Sequence, residues 1–181
     1  MSPRTNGLAA HQRQVRDLIK GRARHTELTD PYFNEVATST GLALVREIIH
    51  WWRALGLERS CALTAAALKQ QGIFESTVAL FIREHRISPY VDELSRDFLD
   101  VTSGHDNDVI SSVAQFERAL LQVKRGDANS FVIAWRHDPV TVLNGLLNEM
   151  PIDEQPSEGL YETLVSRDVE GLFRVLPIES R

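Results

Sequence analysis

The sequence predicts an α+β fold: an N-terminal multi-helix bundle, residues 1–126, then a small C-terminal strand–helix–hairpin module, residues 127–181, winged-helix-like in outline. Three observations predict it. Apolar residues recur at three- and four-residue spacing through the first two thirds of the chain, the mark of helices that bury one face. After Gly126 the texture changes to short β-branched and aromatic runs, which read as strands. No internal repeat and no long low-complexity linker divides the two stretches, so two parts packed against each other are expected.

Six or seven helical segments are expected before the strands. Leu8 to Arg24 places Val15, Leu18 and Ile19 at helical spacing among polar residues. Asp30-Pro31 is a cap followed by a first-turn proline, so a short helix from Tyr32 to about Thr38 follows. Gly41 to Leu57 is the strongest helix. Leu42, Val45, Ile48, Ile49 and Trp52 form its expected core stripe, and Leu44, Trp51 and Leu55 widen it. Two adjacent tryptophans cannot share one narrow line, so one of Trp51 and Trp52 is expected at the core's edge or at a partner interface. Glu58 to Gln71 is Ala-rich and ends at a capping Gly72. Phe74 to Arg86 carries Val78, Phe81 and Ile82. A helix restarts after Ser88-Pro89 with Tyr90, Val91, Leu94, Phe98 and Leu99. After the turn Thr102 to Asn107, Asp108 to Lys124 carries Ile110, Val113, Phe116, Ala119, Leu120 and Val123.

The C-terminal module opens with the strand-like run Phe131 to Arg136. Asp138-Pro139 then starts a brief helix whose apolar stripe is Val140, Val142, Leu143, Leu146 and Leu147. Past a Pro- and Glu-bearing linker come two further strands, Leu160 to Arg167 and Gly171 to Leu176, turning at Asp168-Val169-Glu170. Such a small sheet has at least one free edge. A free edge is blunted or used, and strand addition by a peptide is one use.

Composition and charge narrow the function classes. Hydrophobic content of 43% supports a real core. The net charge of −5 is unevenly placed: Gly126 to Arg181 holds ten acids and four bases, net −6, and the rest holds fifteen acids and sixteen bases, net +1. The acidic end would attract a basic partner and repel nucleic acid. The one cysteine, Cys61, cannot form an intrachain disulfide and reads as a small buried hydrophobe. No apolar run is long enough to span a membrane and no secretory h-region is seen, so a cytoplasmic protein is expected.

Catalytic and metal signatures are sparse. No two of the six histidines stand at i, i+3 or i, i+4, and there is no HExxH, CxxC or EF-hand loop. Phosphate-binding glycine loops and the GxSxG elbow are missing too. Asp97 and Asp100 could share a helix face, but they read as part of a solvated, charge-balanced surface. The brief helix Val140 to Asn148 holds no Lys or Arg to read a DNA groove. A winged-helix DNA-binding transcriptional regulator is therefore the alternative reading, behind a peptide-binding module.

The run Ser88-Pro89-Tyr90-Val91-Asp92-Glu93-Leu94-Ser95 is similar to a Pro-Tyr-x-x-x-Leu-(small) helix. That helix occurs in small proteins that accompany TIM-barrel iron enzymes in peptide-modification operons. Trp135 to Pro139, Tyr161 to Arg167 and Gly171 to Val175 resemble the C-terminal module of the methanobactin partner-protein family, the MbnC family. The likeness runs from about Tyr32 onward. It implies a non-catalytic, metal-free subunit of a heterodimeric oxidase whose iron cluster lies in the TIM-barrel partner, the MbnB-like subunit. The pair converts cysteines of a ribosomal precursor peptide, MbnA-like, to oxazolone and thioamide groups in a copper-chelating product. The partner protein receives the peptide's leader as an added strand. On this reading Tyr161, Thr163, Val165, Leu172, Phe173 and Arg174 bind the peptide, and Trp51, Arg86 and Tyr90 meet the barrel subunit. No catalytic or metal residues, no nucleic acid and no membrane are expected for this chain.

Overall fold

A computed structural model describes residues 4–21, 30–85, 88–152 and 158–177. The chain is α+β. Among these residues seven helices precede the strands, one on each segment read as helical: α1 (Arg4–Ile19), α2 (Pro31–Thr38), α3 (Thr40–Ser60), α4 (Ala62–Gln70), α5 (Phe74–Glu84), α6 (Val91–Thr102) and α7 (Asp108–Arg125). Then come β1 (Ser130–His137), α8 (Pro139–Leu147), β2 (Glu158–Ser166) and β3 (Phe173–Pro177). By packing, Met1–Leu55 with Val78–Arg86 forms one unit, and Gly56–Thr77 with Ile87–Arg181 forms a second. Residue 126 is thus no border between units. The strands draw α4, α6 and α7 into their own unit, because α7 supplies the surface the sheet must cover. Charge follows this division: ten Lys and Arg against six Asp and Glu give the first unit net +4, and ten against nineteen give the second net −9.

In the first unit Asp30 caps α2, its Oδ1 accepting from the Tyr32 backbone N–H at 2.9 Å, with Pro31 in the first turn. Leu18, Phe33 and Leu42 form a small core, with Ile19, Val36 and Ala37 packed on it. The expected stripe on α3 is only partly buried. Leu42 is buried and Ile49 half-buried, but Val45, Ile48 and Trp52 are exposed, as are Leu44 and Trp51. The reason is spatial: the small core gathers at the first turn of α3, and the helix runs on beyond it.

The second unit is built on α7. Ile110, Val113, Phe116, Ala119 and Val123 are buried, and the helix packs on α4, α6, β1 and β2. Asn107 Oδ1 accepts from the N–H groups of Val109 (3.0 Å) and Ile110 (3.1 Å), closing its start. Gly126, at φ 86°, closes its end. Arg167 adds a second closure, donating from Nε to Val123 O at 2.7 Å. A Cβ on Gly126 would lie 2.7 Å from the Arg167 guanidinium, so glycine serves both geometry and space there.

Helix α4 has no capping side chain of its own, since Cys61 precedes it without making a cap bond. Glu117 of α7 fills that role from a distance. Its carboxylate accepts from the N–H groups of Leu63 (3.1 Å) and Thr64 (2.9 Å). Those are two of the donors a helix start leaves unpaired. Burial pushes the Glu117 pKa up, and the two backbone bonds pull it back only in part. Gly72 ends α4 as expected, with Gly72 N–H on Lys69 O and Ile73 N–H on Leu68 O. Asp138 starts α8 by accepting from Val140 and Thr141. This helix lies against α4. Only Val142, Leu143 and Leu146 of its expected stripe are buried, while Val140 and Leu147 face out.

Candidate functional site

The three strands pair antiparallel in the order β1-β2-β3. Ile133 stands opposite Thr163 and Thr163 opposite Val175, while Val132 stands opposite Leu164 and Leu164 opposite Arg174. Alternation then sorts the side chains to two faces. The inner face carries Phe131, Ile133, Trp135, Tyr161, Thr163, Val165, Phe173 and Val175. Phe116 of α7 meets two of its rings edge-on, Trp135 at 5.9 Å and Phe173 at 5.1 Å between centroids. The outer face carries Val132, Ala134, Glu162, Leu164, Arg174 and Leu176. Here Val132, Ala134 and Arg174 are exposed and the others half-buried. This face mixes apolar centres with a carboxylate and a guanidinium.

The edges differ. β2 is central and paired on both sides, so it has no edge to offer. Helix α7 lies across β1 and β2, and Ser112 Oγ donates to Ala134 O of β1 at 3.5 Å. β3 is the strand that α7 covers least. Phe173 keeps 38% of its surface exposed and Arg174 is exposed beside it. The approach to β3 is a short 3₁₀ turn, Glu170–Leu172, with Gly171 at φ 75° and Leu172 at φ 70°. A leucine in the left-handed region stores strain of about 1 kcal/mol, so the turn before the edge strand is held in place by its surroundings.

The six residues predicted to touch a peptide therefore fall into two groups. Leu172, Phe173 and Arg174 gather at the entry to the edge strand. Tyr161, Thr163 and Val165 lie on the inner face of the central strand, where Thr163 and Val165 are fully buried. Those two shape the sheet from beneath and present no side-chain surface, while Tyr161 is half-buried. Thr163 Oγ1 and Trp135 Nε1 are buried without a hydrogen-bond partner among the described residues. The sequence reading left out Val132 and Leu160, which are exposed on this module. Strict alternation counted from buried Ile133 would have flagged Val132.

Of the three residues predicted at a partner interface, Trp51 is 57% exposed and Tyr90 is 69% exposed. Trp51 and Trp52 meet edge to face at 5.1 Å, and Trp52 is 62% exposed, so both rings, rather than one, stand at the surface. With Leu44, Val45 and Ile48 they make a continuous apolar face on α3. Arg86 lies outside the described residues.

Reactive chemistry is thin among the described residues. No three His, Cys, Asp or Glu side chains gather as metal ligands. Cys61 is buried, and burial pushes its thiol pKa up to about 12, reinforced by the Glu117 carboxylate, so it is held as the inert thiol. Burial opposes ionisation of Asp138. The bonds from the Thr141 hydroxyl and two backbone N–H groups outweigh it and hold the carboxyl below its usual range, as a cap rather than a proton donor. No described helix is long and apolar enough to cross a membrane. Comparison with protein-family models, with curated proteins and with solved structures finds no match.

Proposed function

We propose that this chain is a non-catalytic binding subunit that accepts an extended, basic peptide along the outer edge of β3. The observation that carries this reading is an edge strand that α7 covers less than it covers β1 and β2, in a unit of net charge −9. Backbone groups on that edge supply affinity, and the Arg174–Leu176 face supplies selectivity. The finer reading rests on the resemblance above. The peptide is the leader of a ribosomal precursor, the reacting centre is an iron cluster in a TIM-barrel partner, and the chain works in the cytoplasm as half of a heterodimeric peptide oxidase of the methanobactin type. The apolar α3 face with its tryptophan pair suits the barrel subunit, because an obligate interface is large and apolar.

Two proline variants of the full chain test the edge. In an antiparallel ribbon successive N–H groups point to opposite sides. One of Arg174→Pro and Val175→Pro thus removes an outward donor and leaves the hairpin paired, and the other breaks the hairpin. Titration with the precursor peptide should show lost binding in the variant whose circular dichroism stays native. Native binding by both variants would place the peptide elsewhere. Co-purification with the barrel protein from neighbouring genes tests the finer reading separately.

A further inference from the structure

We infer that the groove formed by α1, α3 and the end of α5 in the first unit receives an acidic amphipathic helix of a partner protein. This site stands on its own geometry and is independent of the sheet edge. Its volume is about 720 Å³. The floor is apolar, with Val15 and Ile19 from α1, Ile49 from α3 and Ile82 from α5. Five cations line it: Arg16, Lys20, Arg46, Arg53 and Arg83. None of the lining residues is Asp or Glu.

The groove uses one side of α3 only. Arg46, Ile49, His50 and Arg53 share that side at i, i+3, i+4 and i+7. The exposed Leu44, Ile48, Trp51 and Trp52 share the other. Two cations within the groove are set in distinct ways. Arg46 is anchored by donating to Leu18 O, with Nε at 2.8 Å. Arg53 is half-buried and has no hydrogen-bond or ion-pair partner among the described residues, and burial holds its pKa below the ordinary arginine value. A desolvated guanidinium without an anion is costly, and a carboxylate brought by a ligand would relieve that cost.

The pattern of charge selects the occupant. A lipid headgroup or a free phosphate calls for cations gathered at one point. Here they are spread over three helices, with Arg46 and Arg53 two turns apart along α3. That spacing suits carboxylates repeating along a rod. The apolar floor suits the stripe between them, as in helix-in-groove recognition. From Leu8 to Ile19, α1 runs beside the groove for about 17 Å, room for about three turns of a docked helix.

The test titrates the full chain by calorimetry with designed peptides of about four helical turns. One carries Leu at i, i+3, i+4 and i+7 with Glu elsewhere. The second replaces Glu by Lys, and the third scrambles the Glu peptide. Binding of the patterned Glu peptide should be at least about tenfold tighter than that of the other two. It should also weaken as salt rises from low to physiological concentration. Arg53→Glu should cost about tenfold or more and should improve binding of the Lys peptide. Arg83→Glu, on an exposed side chain, is the second variant should the first fail to fold. Equal binding of all three peptides would overturn the inference, as would unchanged affinity in folded charge-reversal variants. Binding to phosphatidylglycerol vesicles with none to the Glu peptide would overturn it in favour of a lipid surface.

Discussion

Helices α3 and α7 carry similarly clear apolar periodicity and use it differently. In the second unit the stripe of α7 is closed over by α4, α6 and two strands, and its phenylalanine is wedged between rings of β1 and β3. In the first unit only Leu42 and Ala54 of α3 are fully buried hydrophobics, and Leu44, Val45, Ile48, Trp51 and Trp52 remain at the surface. A 3.6-residue repeat reports that a face is apolar. It does not report whether the chain itself or a second molecule covers that face. Contiguous exposed apolar patches often mark interaction sites, and this is the ground on which the α3 face is proposed as an interface.

The largest effect should come from truncating the well-covered helix. Phe116→Ala removes the ring that joins α7 to Trp135 and Phe173, and should cost about 3–5 kcal/mol in urea unfolding. If it costs little, α7 is not the centre of its unit and the contrast with α3 fails. Next is Glu117→Ala, which strips the cap from α4 and leaves two buried N–H groups unpaired, costing about 2 kcal/mol. Its pH dependence sharpens the point. The folded pKa of Glu117 lies above its unfolded value. Its stabilising contribution is therefore full below the unfolded value and is lost as pH rises through the raised folded one. Unfolding free energies measured across that window should flatten in Glu117→Gln.

Smaller still is the effect expected on α3. Trp51→Ala should change unfolding free energy by about 0.5 kcal/mol or less, yet, if the proposed barrel subunit is the partner, weaken its capture in pull-down. A large stability loss with normal capture would make the tryptophan a core residue after all. The smallest change is Thr163→Val. Because Thr163 Oγ1 is buried without a partner among the described residues, the methyl should be neutral or stabilise by up to about 1 kcal/mol, with precursor binding unchanged by calorimetry. A binding defect would mean that the central strand moves to admit the peptide.

Much of the fold was legible because its signals are local. Asp30-Pro31 and Asp138-Pro139 mark helix starts by chemistry confined to four residues, and Gly72 and Gly126 mark ends in the same way. The β-branched runs around Ile133 and Val165 gave the strands. What sequence alone could not supply was pairing order. That β2 is central, and so without an edge, depends on which strands meet across more than twenty residues, and this moved Thr163 and Val165 from the docking surface into the core. The role of Glu117 was hidden for the same reason: it stands more than fifty residues from the helix start it closes. The basic groove was equally illegible, because it assembles cations from three separated helices.

The sorting of tryptophans has one more consequence. The exposed pair, Trp51 and Trp52, belongs to the basic unit, and the buried Trp135 belongs to the acidic one. Emission from the pair should be red-shifted and readily quenched by iodide, an anion drawn to positive charge, while Trp135 should emit to the blue and resist quenching. A single denaturation recorded at two wavelengths would then follow the units separately, without any label being attached.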